Sequence, residues 1–241
     1  MQQDTVLITG ASRGLGRALA FELAGRGHQV ALVAREAAPL EAVAAAIRAR
    51  GGLAQAFPAD VGDKTAIVPL VARVSDALGP VDVLVNNAST LGPVPLRPLL
   101  DTECEDLADV FEVNLVGPFR LTKAVAGGMA ARGRGLVINV SSDAAVEAYP
   151  SWGSYGSSKA ALDHLTRIWG AELEAQGVRF VAFDPGEMDT AMHAAAIPDA
   201  DPATLARPED VARQLADLVA GPVPRRRLTL ADLLIAKEVH P

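Results

Sequence analysis

The stretch Val6-Leu7-Ile8-Thr9-Gly10-Ala11-Ser12-Arg13-Gly14-Leu15-Gly16-Arg17-Ala18-Leu19-Ala20 decides how the rest of the chain is read. A continuous apolar run of strand length passes through a glycine-rich turn into an Ala/Leu-rich segment of helical composition, Leu15 to Ala24. A strand apolar at every residue is buried on both faces, as in a parallel sheet covered by helices. In a turn of this kind Gly10 allows the tight bend, Gly14 lets the backbone approach a pyrophosphate, and Gly16 lets helix and sheet pack closely. The helix N-terminus then offers free N–H groups and a partial positive charge. A P-loop is excluded, because no Lys-Ser/Thr follows the glycines.

Outward from this turn the same alternation repeats. Val30 to Val33, Leu53 to Phe57, Val81 to Val85, Leu136 to Val140 and Val178 to Phe183 are further apolar runs of strand length. Between them lie helical candidates at Pro39 to Arg50, Asp63 to Leu78, Glu103 to Ala131 and Ser157 to Gln176, with Gly25, Gly51, Gly79 and Gly177 as helix stops. Strands alternating with helices predict right-handed βαβ units. The expected fold is therefore α/β: a Rossmann-like, doubly wound parallel sheet in three αβα layers, one domain over 1–241. Two stretches break the rhythm, Pro93 to Pro98 and the acidic, Pro-rich Pro185 to Pro208. Both follow the C-terminal end of a strand, where open α/β sheets bind ligands.

Composition narrows the function. Half of the 241 residues are apolar, so the chain can build a core, and the net charge of −7 argues against a nucleic-acid or anionic-membrane partner. Cys104 is the sole cysteine, which excludes an intrachain disulfide and a thiolate-rich metal site. His28, His164, His193 and His240 show no ligand spacing, so no metal is expected. The start, Met1-Gln2-Gln3-Asp4, lacks the basic region of a signal peptide, and no apolar run approaches the ~20 residues of a membrane span; a cytoplasmic protein is expected.

The end of the second strand bears on cofactor choice. A free ribose 2′-hydroxyl usually meets an acidic side chain there, but this chain reads Leu32-Val33-Ala34-Arg35. Arg35 can grip a 2′-phosphate with Arg13 opposite, which favours NADP(H) over NAD(H); alternatively it caps the strand in solvent, paired with Glu36. Asp60-Val61 after the third strand can contact an adenine, or Asp60 can be the N-cap of the next helix. Tyr155 and Lys159 stand four apart on one helical face, and a cation one turn away favours the phenolate of a phenol whose ordinary pKa is ~10. Tyr155 is thus a candidate acid for a carbonyl and base for an alcohol. The Tyr-x-x-x-Lys spacing alone is commonplace; it gains weight from Ser141-Ser142 at the end of the fifth strand, from the Asn114 segment and from the glycine turn.

Taken together, Thr9-Gly10-(x)3-Gly14-x-Gly16, Asn86-Asn87-Ala88, Asn114, Ser142, Tyr155-(x)3-Lys159 and Pro185-Gly186 with Thr190 resemble the short-chain dehydrogenase/reductase family over about residues 4–220. The resemblance implies that Gly10, Ala11, Ser12, Arg13, Gly14, Leu15 and Gly16 form the phosphate loop, Arg35 the 2′-phosphate contact, and Asp60 and Val61 the adenine contact. It places Asn87 and Ala88 along the adenosine ribose side, and has Asn86 hold the central strand. Ser142 would polarise the substrate oxygen. Lys159 would bond the nicotinamide ribose and tune Tyr155, and Asn114 would hold a water continuing the proton relay from Lys159. Pro185, Gly186, Met188 and Thr190 would bracket the nicotinamide. It implies an NADP(H)-dependent oxidoreductase acting on a small, mostly apolar carbonyl or alcohol, with a lid at about 187–207. The alternatives are a non-catalytic NADP(H) sensor or an epimerase, the latter disfavoured because few residues follow Gly221.

Ser89 departs from the family's usual glycine, and Glu187 and Asp189 put carboxylates beside the expected nicotinamide site, a bias against anionic substrates. The C-terminus from Arg225-Arg226-Arg227 lacks a Gly-rich last strand, so a homodimer is expected rather than a tetramer. The arginines read as a solvated face or dimer edge, His193 as a solvated loop residue, Cys104 as packing or surface. Leu91, Tyr149 and Trp152 are expected to line an apolar pocket, and Trp169 to be core or interface.

Overall fold

Apolar runs that need cover on both faces suit the strands of a parallel sheet sandwiched between helices. The structure, a computed structural model, describes residues 3–221 and 227–239. All six expected strands form: β1 (Thr5–Thr9), β2 (Gln29–Ala34), β3 (Leu53–Pro58), β4 (Val83–Asn86), β5 (Gly135–Val140) and β6 (Val178–Asp184). A seventh, β7 (Arg227–Thr229), pairs parallel with β6, so the chain does end its sheet with a short glycine-free strand. Arg225, Arg226 and His240 lie outside the described residues.

The sheet is parallel in every pairing, with order β3-β2-β1-β4-β5-β6-β7. From β1 the chain winds outward to β3, then returns to lay β4 on the other side of β1. Side chains of β1 alternate between two cores. Val6 and Ile8 join Leu19 and Leu23 of α1 (Gly14–Gly25), Leu40 and Ile47 of α2 (Ala37–Arg48) and Leu215 of α8 (Pro208–Ala220). Leu7 faces the opposite core, with Leu70 of α3 (Lys64–Leu78), Leu121 and Met129 of α5 (Gly117–Ala131) and Trp169 of α6 (Gly153–Leu173). Trp169, partly buried, stacks on Phe180 at 6.1 Å at the margin of this core.

Some boundaries differ from expectation for local reasons. Asp63, not Asp60, is the N-cap of α3: its carboxylate accepts the Thr65 N–H at 2.8 Å, while Asp60 accepts from Gly62 in the turn before it. Gly25 is the last residue of α1, and the positive φ that ends the helix falls on Gly27. The expected helix 103–131 is broken into α4 (Cys104–Phe111), a π-helical turn Glu112–Val116 and α5. The segment 187–207 is ordered as α7 (Ala191–Ala196) and a 3₁₀ turn, closed at its base by a parallel bridge between Met188 and Ala206.

A buried polar chain ties the sheet to α6. Asn86 Nδ2 donates to Asn139 Oδ1 at 2.8 Å, and Asn139 Nδ2 donates to Thr166 Oγ1 at 2.7 Å. Asn139→Leu leaves both partners buried without this bond, so we expect a loss of about 2–3 kcal/mol in urea unfolding, with the double variant Asn139→Leu/Thr166→Val recovering part of it.

Candidate active site

The C-terminal strand ends open onto a cleft of about 1280 Å³ at the point where β1 and β4 diverge. The glycine turn forms one end. Gly10 has a φ of +66°, and a side chain there would sit 2.8 Å from Asn87 Nδ2, so only glycine fits both the conformation and the space. At Gly16 a Cβ would meet the Gly10 carbonyl and, at 2.6 Å, Asn87 Nδ2. Gly16 is therefore a packing glycine rather than a cleft residue. Asn87 Nδ2 in turn donates to the Thr9 carbonyl at 2.8 Å, and Thr9 Oγ1 accepts the N–H groups of Asn87 and Ala88 at 3.0 and 2.9 Å.

Gly10, Ser12, Arg13, Gly14, Leu15, Arg35, Asp60, Val61, Asn87 and Ala88 all line this end. Ala11 does not: it is fully buried, its N–H bonded to the Val33 carbonyl. Arg13, the N-cap of α1, makes no side-chain cap. Among the described residues neither Arg13 nor Arg35 forms an ion pair, so the Arg35–Glu36 pairing does not occur; both guanidinium groups stand exposed at the cleft. Arg17, which the sequence did not single out, joins them there.

The other end is built from β5, β6, α6 and the 187–207 excursion. Starting at Gly153 rather than Ser157, α6 puts Tyr155 in its first turn, 8% exposed, with Trp152 packed edge-on at 5.7 Å. Leu91, Ala144, Leu96, Met192 and Ala196 complete an apolar cluster around the phenol. Burial pushes the Tyr155 pKa up to about 12; a hydrogen bond with Ser142 pulls down, the Asp184 and Asp143 carboxylates push up, and the Ser89 hydroxyl pulls down. The expected net lowering by Lys159 is thus overturned: burial and carboxylates prevail in the folded chain.

Lys159 is 2% exposed, its Nζ 5.5 Å from the Tyr155 ring centre and donating to the Val140 carbonyl at 2.7 Å. Burial lowers its pKa to about 8, against the pull of the Asp163 carboxylate. Ser142 is half-buried at the cleft, donating to Asp143 Oδ1 at 2.9 Å, whereas Ser141 is buried behind it. Asn114 lies in the π turn, fully buried and away from the cleft wall. It donates to Thr90 O at 2.9 Å and Ser158 Oγ at 3.0 Å and accepts from Ser89 Oγ and Thr90 N. Its side chain thus ties the Ser89–Thr90 loop to Ser158 of α6.

Pro185, Gly186, Met188 and Thr190 line the wall between the two ends, with Glu187 and Asp189 exposed beside them. Thr190 caps α7 by accepting the His193 N–H at 3.2 Å. His193 is no solvated loop residue: its side chain is 12% exposed, lines the cleft, and has Glu187 Oε1 3.6 Å from Nε2. Its burial comes from the folding of 187–207 back over the strand ends, which composition cannot show. Leu91, Tyr149 and Trp152 line the cleft as expected. Cys104 is exposed. Among the described residues no cluster of His, Cys, Asp or Glu could hold a metal ion, and no helix is long and apolar enough to cross a membrane.

A family model described as short chain dehydrogenase matches residues 4–201. The chain belongs to the short chain dehydrogenase family. Members at this level of similarity include the 2,3-dihydro-2,3-dihydroxybenzoate dehydrogenase of Bacillus subtilis, 39% identical over 77% of this chain and 70% of the relative. Among solved structures, an alcohol dehydrogenase of the archaeon Thermococcus sibiricus complexed with 5-hydroxy-NADP superposes with a TM-score of 0.85 at 30% identity, covering 95% of this chain and 96% of the other. An actinorhodin polyketide ketoreductase with NADPH gives 0.85 at 31% identity, over 94% and 95%. The chain is accordingly an oxidoreductase of this family, and a purely sensory role is not favoured.

The buried ammonium has a measurable cost. With a folded pKa of about 8 against an ordinary 10.5, the unfolded chain holds a proton that the folded chain has shed between those values, so stability rises with pH across that window. Lys159→Met removes the penalty and loses the bond to Val140. Urea unfolding should show a gain of about 2 kcal/mol at pH 7 that shrinks above pH 8 and turns into a loss of about 1 kcal/mol near 10.5, where only the missing bond to Val140 counts. Parallel pH profiles in the two proteins would contradict the assignment.

Proposed function

We propose that this oxidoreductase is an NADP(H)-dependent carbonyl reductase, or alcohol dehydrogenase in reverse, whose substrate is small, mostly apolar and uncharged, with Tyr155 as general acid. The observation that carries the reading is the Tyr155 hydroxyl, set between the Ser142 and Ser89 hydroxyls in an apolar pocket at one end of a cleft whose other end is a glycine turn flanked by arginines.

The residues present fit a dinucleotide with a 2′-phosphate. The Gly10 cradle would be filled by any side chain, the first turn of α1 begins at the cleft, and Arg13 and Arg35 stand there without ion-pair partners among the described residues. Asp60 and Val61 would take the adenine, Asn87 and Ala88 the adjoining ribose, and Pro185, Gly186, Met188 and Thr190 the nicotinamide end. The 5-hydroxy-NADP and NADPH bound by the two structural neighbours support the choice. When bound, the reduced nicotinamide supplies hydride.

The chain's own work is orientation and proton transfer. Ser142 holds the substrate oxygen beside the Tyr155 hydroxyl, and the apolar cluster around Trp152 and Met192 excludes water from it. A phenol held protonated up to about pH 12 is a donor throughout the neutral range, and an alkoxide forming at the substrate oxygen is the stronger base, so the proton passes from Tyr155. Lys159 brings positive charge behind the ring and stabilises the resulting phenolate. Asn114 positions the Ser89–Thr90 loop over the pocket and holds a water that continues the proton relay from Lys159. We assign the 187–207 excursion as the substrate lid and read a homodimer through the exposed Phe119 and Ile168 of α5 and α6. The exposed Asp143, Glu187 and Asp189 make the pocket mouth acidic, which disfavours anionic substrates.

NADPH oxidation against a panel of ketones, aldehydes and quinones tests the activity. Tyr155→Phe should lower turnover by about 10³-fold or more while NADPH affinity changes by less than about twofold; retained turnover would remove the tyrosine from the mechanism. Arg35→Asp should move preference toward NADH by about tenfold or more, and a variant still preferring NADPH would refute the phosphate assignment.

A further inference from the structure

The last strand brings one arginine to a place the sequence did not suggest. Arg227, the first residue of β7, turns its guanidinium back across the strand ends. Nε donates to Asp163 Oδ2 on α6 at 2.8 Å. Nη2 donates to the Ser142 carbonyl at the end of β5 at 3.0 Å and to Asp184 Oδ2 at the end of β6 at 3.2 Å. Asp163 and Asp184 are each only 6% exposed, so the cation lies between two buried carboxylates. The second oxygen of Asp184 accepts the Gly186 N–H at 3.0 Å, which fixes the turn carrying Pro185 and Gly186.

We propose that Arg227 is a positioning residue for the proton-transfer site, holding the Ser142 segment, the Pro185–Gly186 turn and helix α6 in one fixed arrangement and neutralising the two carboxylates behind it. This rests on the carbonyl reductase reading above. The three partners sit on or beside three elements that each carry part of the site: Ser142 just after β5, the turn after β6, and Tyr155 and Lys159 on α6. A planar fork holds its donors at fixed angles to all three, where an ammonium on a flexible stem is a point charge that fixes no such arrangement.

The arrangement also sets the electrostatics. Tyr155 faces the hydroxyls of Ser142 and Ser89 and the carboxylates of Asp184 and Asp143, with the Lys159 ammonium 5.5 Å from its ring. Lys159 faces the Asp163 carboxylate and the Val140 carbonyl. Arg227 is the cation paired with both Asp184 and Asp163. Its removal unmasks Asp184 toward the phenol and Asp163 toward the ammonium, and both groups then hold their protons to higher pH.

The test compares Arg227→Met, Arg227→Lys and the unaltered chain by kcat, KM, NADPH affinity from protein fluorescence, and the pH dependence of kcat. We expect Arg227→Met to lose about tenfold in kcat with NADPH affinity changed by less than about threefold, and to move the alkaline limb of the profile upward. Arg227→Lys should return the limb to its original place while kcat stays several-fold low, since charge is restored and the fork is not. Unaltered kcat and limb in Arg227→Met would overturn the proposal, as would a rate loss that merely tracks the unfolded fraction with the limb unmoved. If Arg227→Met does not fold, Arg227→Lys decides: wild-type kcat overturns the positioning role. If the unaltered chain reduces no carbonyl, the functional reading falls separately. Arg227 is then judged by hydrogen exchange in 141–146 and 184–190, faster in Arg227→Lys if it positions them and unchanged if it does not.

Discussion

The site exists because two strand ends are held together and then forced apart. Thr9 closes β1 and, through one hydroxyl, takes the N–H groups of Asn87 and Ala88 just after β4, while the Asn87 amide returns a bond to the Thr9 carbonyl. Beyond that knot the chain leaves β1 for one face of the sheet and β4 for the other, and the gap becomes the cleft. The close packing of Gly16 on Gly10 and Asn87 brings the start of α1 to the same spot. Turn, helix start and strand crossover are one construction, not three.

Within the cleft, burial works on acid and cation in opposite directions. It drives the Tyr155 phenol up and the Lys159 ammonium down, each toward its neutral form. A surface pair would show neither effect. The unfavourable ammonium is held by the carbonyl of Val140, the last residue of the strand that leads into Ser141 and Ser142, and by the attraction of the Asp163 carboxylate. Stability is given up where charge is required, as expected of a site whose local rules conflict with the rest of the core.

The fold was legible because parallel strands write themselves as apolar runs: the five interior strands are visible that way, and so is the edge strand β3 although Gln55 interrupts it. β7 was not, because three residues carry no period. The break between α4 and α5 was not, because a π turn changes hydrogen-bond spacing without changing composition. Most cleft residues followed from motif spacing. Arg227 could not, since its partners lie 43, 64 and 85 positions away and meet only when β7 docks beside β6. The direction of the Tyr155 shift failed for a related reason: helical spacing reveals Lys159 but not the apolar wall or the carboxylates around the phenol.

The parallel bridge between Met188 and Ala206, reinforced by bonds from Asp189 N–H to Ala206 O and from Ala206 N–H to Glu187 O, closes the excursion at its base. Everything distal to it adds no strand to the sheet, yet Met192 and Ala196 reach back to the apolar wall around Tyr155. Divergence among relatives thus has a place to accumulate that spares the sheet, and each change that reshapes this wall is felt at the phenol as well as by the substrate.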